Sequence, residues 1–187
     1  MATTYVALLR GINVGKNKRV AMADLRAVIE SLGYTDARTL LNSGNAVFAS
    51  GRALKKSAAE ELRAALEKKT GVSSRFTLRS AADLEEVVRA NPLLDVAKDF
   101  SRLYTAFVTD LDDIEKVKPF LKQHWKPEVV ALGPGVVYIW CPNGVLESKA
   151  SEALGKLLGD GLTLRNWATV TKLNQLVASG DSRVASG

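Results

Sequence analysis

Apolar positions recur along this chain in two periods, and the switches between them lay out strands and helices in turn. "TYVALLR" (Thr4–Arg10) alternates strand formers and predicts a first strand. Met22, Leu25, Val28, Ile29 and Leu32 then fall on one helical face, which Gly33 ends. "ARTLL" and "NAVFAS" flank Asn42-Ser43-Gly44, the signal of a hairpin. Ser57-x-x-Glu60 reads as a capping box for a helix running to about Thr70, with Gly71 as its stop. "SSRFTLR" predicts a fourth strand, and Ser80-x-x-Asp83 a second box in a helix that Asn91-Pro92 ends. The order is β-α-β-β-α-β with one helix added, the split βαβ or ferredoxin-like arrangement.

The second half repeats that order. "RLYTAFVTD" predicts a strand, "DDIEKVKPFLKQHW" a helix disturbed at Pro119, and "PEVVALG" with "GVVYIWC" a hairpin about Pro134-Gly135. A helix from about Leu146 to Leu158 groups Ala150, Leu154 and Leu157, and Gly159 closes it. After "TLR" a last helix carries Trp167, Val170, Leu173 and Val177 at helical spacing. The expected fold is therefore α+β: two ferredoxin-like halves, each an antiparallel sheet with helices packed on it. Residues 1–98 form the first half, 99–178 the second, and 179–187 a disordered tail. The duplication shows in the order of elements, not in residue identity.

Charge adds an asymmetry. The chain of 187 residues has a formal net charge of +6. Residues 1–98 carry 16 Lys/Arg against 10 Asp/Glu, and residues 99–187 carry ten of each. The excess is densest in "LLRGINVGKNKRVAMADLR" (Leu8–Arg26), with five basic residues and one acid. A localised basic field favours anionic partners.

The glycine turn inside that stretch is not a nucleotide-triphosphatase loop. Gly11-Ile12-Asn13-Val14-Gly15-Lys16-Asn17 is one residue short of G-x-x-x-x-G-K-[ST] and lacks the closing hydroxyl. A Rossmann fingerprint fails as well. What remains is a turn whose backbone N–H groups, with Arg10, Lys16, Lys18 and Arg19 around them, suit an anion. The first and third strands of this order are neighbours and antiparallel, so the turn and Ser43-Gly44-Asn45 reach one sheet edge, and Asn45 is expected within hydrogen-bonding distance of the Gly11–Gly15 loop. Arg165 and the N-cap Asn166 offer a second seat for a phosphate or carboxylate at the start of the last helix.

Other chemistries find little support. Cys141 is the only cysteine and His124 the only histidine, which excludes disulfides and multi-histidine or multi-cysteine metal sites. No G-x-S-x-G elbow is present. Cys141 reads as a small buried apolar residue, and Asp110–Asp113 as a helix start rather than a magnesium cluster. An RNA-recognition platform lacks its rings: Tyr5 is suitably placed, but Asn45 and Val47 stand where aromatics are needed and Phe48 faces away from both. No stretch reads as a signal peptide or membrane span, so no membrane partner is expected and the cytoplasm is the expected compartment.

"YVALLRGINVGKNKRVAMADLRAVIESLGY", "LNSGNAVF" and "TLRNWATVTKL" together closely resemble the bacterial family catalogued as domain of unknown function 1697, from about Thr4 to Leu176. The matching positions are Arg10, Gly11, Asn13, Gly15, Lys16 and Met22, then Ser43, Gly44 and Asn45, then Arg165, Asn166, Trp167 and Thr169. One departure is Asn42, where the family pattern usually carries glutamine. The resemblance implies two similar α+β subdomains and no established activity, cofactor or catalytic residue. The leading functional expectation is thus a binding domain for an anionic small ligand, phosphorylated or nucleotide-like, held by Arg10, Asn13, Gly15, Lys16, Lys18, Ser43 and Asn45, with Arg165 and Asn166 as a second group. No cofactor or metal is expected. The alternatives are nucleic-acid binding through the basic half, and an enzyme on an anionic substrate using a catalytic carboxylate brought in by the fold.

Overall fold

A computed structural model describes residues 1–16 and 18–181. In the first half, β1 (Thr3–Leu9), α1 (Met22–Ser31), β2 (Thr35–Leu40), β3 (Asn45–Ser50), α2 (Ala58–Thr70) and β4 (Phe76–Ser80) are followed by α3 (Ala81–Arg89). The second half runs β5 (Leu103–Val108), α4 (Ile114–Leu121), β6 (Val129–Gly133), β7 (Val136–Trp140), α5 (Lys149–Leu158) and β8 (Leu162–Asn166), then α6 (Trp167–Asp181). Each half contains a four-stranded antiparallel sheet, ordered β2-β3-β1-β4 and β6-β7-β5-β8. Both are the strand order that β-α-β-β-α-β connectivity produces, so the α+β reading with two similar halves holds.

The periods explain the packing. Along β1, Ala7 and Leu9 point to α1 and α2, where they meet Leu25, Ile29, Leu62, Leu66, Phe48 and Phe76 in one apolar cluster. Val6 and Leu8 point to the other face and are also buried. The second sheet builds its own cluster from Ala106, Val108, Val137 and Ile139 with Val117, Phe120, Ala150 and Leu154. Tyr5 stacks on Phe48 with ring centroids 5.9 Å apart, and Phe48 in turn meets Tyr34. Tyr5 therefore belongs to the helix-covered face and not to an open platform, which removes the one ring that suited base stacking.

The duplication extends to residues once the strands are aligned by their pairing. Tyr5, Val6 and Ala7 face Ser80, Arg79 and Leu78 across β1 and β4, while Tyr104, Thr105 and Ala106 face Asn166, Arg165 and Leu164 across β5 and β8. "TLRS" (77–80) and "TLRN" (163–166) are thus equivalent. Arg79 and Arg165 each donate from Nη1 to the carbonyl of the preceding leucine, at 2.8 Å in both. Leu9 N–H donates to Gly44 O (2.8 Å) and Val108 N–H to Gly135 O (3.1 Å), again at matching places. The repeat escaped the sequence reading because few identities carry it, Tyr5/Tyr104, Ala7/Ala106 and the Thr-Leu-Arg of β4 and β8, among ordinary apolar substitutions.

By compactness the described residues divide into 1–84 with 173–181, and 85–172, so the divisions fall inside α3 and α6. The bonds show why: in the second unit Tyr138 on β7 donates to Val87 O of α3 (2.7 Å), and in the first Arg38 on β2 donates to Leu176 O of α6 (3.0 Å). Ser179–Asp181 continue α6 instead of starting a tail, and the remainder of that expected tail lies outside the described residues. The Ser57/Glu60 box does not form. Ser57 Oγ donates to Glu61 (2.6 Å), while Arg63 takes Glu60 and holds its carboxyl below the usual range. The Ser80/Asp83 box does form, with Ser80 N–H on Asp83 Oδ2 (3.0 Å) and Asp83 N–H on Ser80 Oγ (3.1 Å).

Candidate functional site

Three segments converge where β1 ends. The loop after Leu9 leads away from it, the β2–β3 hairpin approaches from one neighbouring strand, and Ser74-Arg75 lead into β4 on the other side. Leu9 N–H donates to Gly44 O, Arg10 N–H to Arg75 O (3.2 Å), and Ser74 Oγ to Arg10 O (2.8 Å). Arg75 is exposed here and was missed by sequence reasoning. The element order could have found it, because β4 is antiparallel to β1 as β3 is, and its lead-in must reach the same edge.

The loop is fastened at both ends by apolar side chains, Ile12 and Val20, which sink into the first core. Between them Asn13 does the closing. Its Nδ2 donates to Val20 O (2.9 Å) and to Asn42 O (2.6 Å), and its Oδ1 accepts from Val20 N–H (2.9 Å). The side-chain amide thus stands in for a peptide group, pairing with both main-chain groups of Val20 while holding the hairpin. Asn13 N–H also donates to Lys18 O (3.0 Å). Gly11, Asn13, Gly15 and Lys18 all have left-handed backbone, with φ between 53° and 64°. Asparagine tolerates that region; lysine needs its neighbours to impose it.

The hairpin interlocks with the loop at Gly44. Its φ is +80°, and a Cβ there would lie 2.7 Å from Leu9 Cβ and 3.0 Å from Ile12 Cδ1. Asn45 is fully buried, and its Nδ2 donates to Leu40 O (3.0 Å) and Ser43 Oγ (2.9 Å). The amides of Asn13 and Asn45 therefore help to assemble the edge, and Asn13 bonds directly from loop to hairpin. Lys16, Lys18 and Arg19 are exposed, and among the described residues none of them forms an ion pair. Arg10 is half-buried.

The second expected group belongs to the other unit. Asn166 Oδ1 accepts Thr169 N–H (3.0 Å) and caps α6. Trp167 is buried and meets Tyr138 edge-on at 6.3 Å. Arg165 lies half-buried on β8, and loss of solvent pulls its guanidinium down to about 10, leaving it charged at neutral pH. These residues start the helix and fill the core.

A cavity of about 210 Å³ in the second unit has Cys141, Glu128, Ser148, Lys126 and Lys149 on its walls. Glu128 is buried, and its carboxylate accepts Lys149 N–H (2.8 Å), Ala150 N–H (3.4 Å) and the Ser148 hydroxyl, while Ser148 Oγ accepts Ser151 N–H (2.9 Å). That network caps α5, an anion already installed at a helix start. Burial pushes the Cys141 thiol up to about 11, so it stays protonated and poorly nucleophilic. Asp110 caps a 3₁₀ turn through Asp112 N–H (3.1 Å), and Asp113 pairs with Lys116.

The architecture matches a solved structure of a conserved bacterial protein from Streptococcus pneumoniae, with a TM-score of 0.75 and 27% identity over 95% of this chain and 99% of that one. No curated protein matches the chain significantly. Among the described residues no helix is long and apolar enough to cross a membrane. The family model covers residues 2–138, which include the glycine loop and the hairpin, while Arg165–Thr169 lie beyond its match. With those residues matched, the chain belongs to the family described as protein of unknown function, DUF1697.

Proposed function

We propose that this chain binds phosphate-bearing ligands, nucleotides or other phosphorylated small molecules, at the basic edge formed by the Arg10–Arg19 loop. The observation that carries the reading is the pairing of a clamped loop with cations that have no acidic partner. Asn13 fixes the backbone, and Lys16, Lys18 and Arg19 extend from it without ion pairs among the described residues. Arg10 and Arg75 flank them. Exposed ion pairs contribute little singly, but cations held together by a fixed backbone raise the local potential and lose less entropy on binding.

In this reading Asn13 and Asn45 are positioning residues, Gly15 permits the turn, and Ser43 holds Asn45 through its hydroxyl. Arg165 and Asn166 take no part. Titration calorimetry at low salt with ATP and with inorganic phosphate tests the proposal. The wild type should bind, and a Lys16→Ala/Lys18→Ala/Arg19→Ala variant should bind at least about tenfold more weakly. Equal affinities, or no heat from either probe, would sink it. With Tyr5 and Phe48 stacked under the helices, oligonucleotides would meet this edge through the same cations. Their binding should then fall with salt at about −0.9 per phosphate contacted in the log–log plot.

A further inference from the structure

We infer that the phosphates this edge meets are the headgroups of an anionic phospholipid surface. The inference rests on the anion-binding reading above and gives it a partner. Its ground is a pair of aliphatic side chains standing among the cations. Val14, in the loop, is 73% exposed, and Leu41, at the hairpin, is 53% exposed. The hydrogen bond from Asn13 to Asn42 joins the residues next to each of them, so the two tips are tied side by side. Leu41 is held there in left-handed backbone, φ 59°, where a β-turn ordinarily has Asn or Gly.

A small-molecule site is concave and covers most of its ligand. These two side chains are largely exposed, which suits insertion between headgroups. The chain segments that carry them are basic. The three segments that meet at this edge come from stretches without a single acid, residues 1–23, 37–59 and 68–82. Lys16, Lys18 and Arg19 are exposed on the same loop as Val14, and each cation near an anionic leaflet adds to attraction while the aliphatic groups add burial. Peripheral contact of this kind needs no spanning segment, so the absence of one in the sequence does not weigh against it.

Flotation of the full-length chain with vesicles tests the inference. Binding is expected to vesicles of phosphatidylcholine mixed with phosphatidylglycerol, to fall as salt rises, and to be absent with phosphatidylcholine alone. A Val14→Ser/Leu41→Asn variant, whose asparagine accepts the left-handed backbone, should bind those vesicles roughly tenfold more weakly. Its affinity for soluble glycerol phosphate should be unchanged. The triple cation variant should lose both. Glycerol phosphate binding without vesicle binding overturns the lipid inference and leaves the anion site standing, whereas loss of both in the wild type overturns the two together. Vesicle binding by the Val14→Ser/Leu41→Asn variant equal to that of the wild type also overturns it.

Discussion

The side-chain amide of Asn13 bridges Val20 and Asn42, residues 7 and 29 positions further along the chain. One short polar side chain thus closes a loop and binds it to the neighbouring hairpin. Asn13→Ala removes two partly buried hydrogen bonds and an exposed one, and puts a Cβ-bearing residue without local compensation at φ 56°, so it should cost roughly 2–4 kcal/mol. Asn13→Gly loses the same bonds but suits the backbone, and should be less damaging by about 1 kcal/mol. Urea unfolding of both variants measures the difference. Wild-type stability in either would refute the clamp.

Gly44 and Gly15 separate close packing from backbone conformation. Both have positive φ, but a methyl at Gly15 meets nothing within 4 Å, whereas at Gly44 it overlaps Leu9 and Ile12. Gly15→Ala should cost about 1 kcal/mol through conformation alone. Gly44→Ala should cost roughly 2–4 kcal/mol, because Leu9 Cβ is fixed to the central strand and cannot retreat. Thermal or denaturant melts giving the two equal effects would disprove the interlock.

The two capping boxes make opposite forecasts. Ser80→Ala removes a bond from Asp83 N–H and the hydroxyl's bond to Asp83, and should cost about 1 kcal/mol. Ser57→Ala removes only an exposed contact to Glu61, and should cost a few tenths of that. Comparison of midpoints at a common denaturant slope decides the matter.

Cys141 should make stability fall at high pH. Its thiol is raised from 9.0 to about 11, first by burial and then by Glu128 nearby, with a hydrogen bond to Ser148 opposing. Below about pH 9 the thiol is protonated whether folded or unfolded, so nothing is lost. Between pH 9 and 11 only the unfolded thiol releases its proton, which favours unfolding by up to about 1.4 kcal/mol per pH unit. Unfolding free energies of wild type and Cys141→Ala across that interval should therefore converge toward, or cross in favour of, the variant. The native thiol should also resist Ellman's reagent at pH 8, and rapid labelling of folded protein would contradict its burial.

Much of this molecule is written locally. Helical spacing in Met22–Leu32, alternation in Thr4–Arg10 and the turn at Asn42–Gly44 each involve residues a few positions apart, and such periods translate directly into α1, β1 and the β2–β3 hairpin. Strand order followed from connectivity, so the meeting of the glycine loop with the hairpin was readable too. The roles inside that meeting were not. Asn13 and Asn45 look like ligand-binding amides in a sequence, and nothing nearby reveals that Val20, Asn42 and Leu40 consume their hydrogen bonds. Ser57 satisfied a capping pattern as well as Ser80 did, yet Arg63 won Glu60.

Periodicity, connectivity and charge placement, all short-range or summed properties, were enough to specify two antiparallel sheets and a basic edge on the first. Assigning each polar group a partner, bringing Arg75 to that edge and drawing parts of α3 and α6 onto opposite units required the folded chain. The reason is physical: hydrogen bonds and burial select partners by distance in space, and sequence separation carries no record of it.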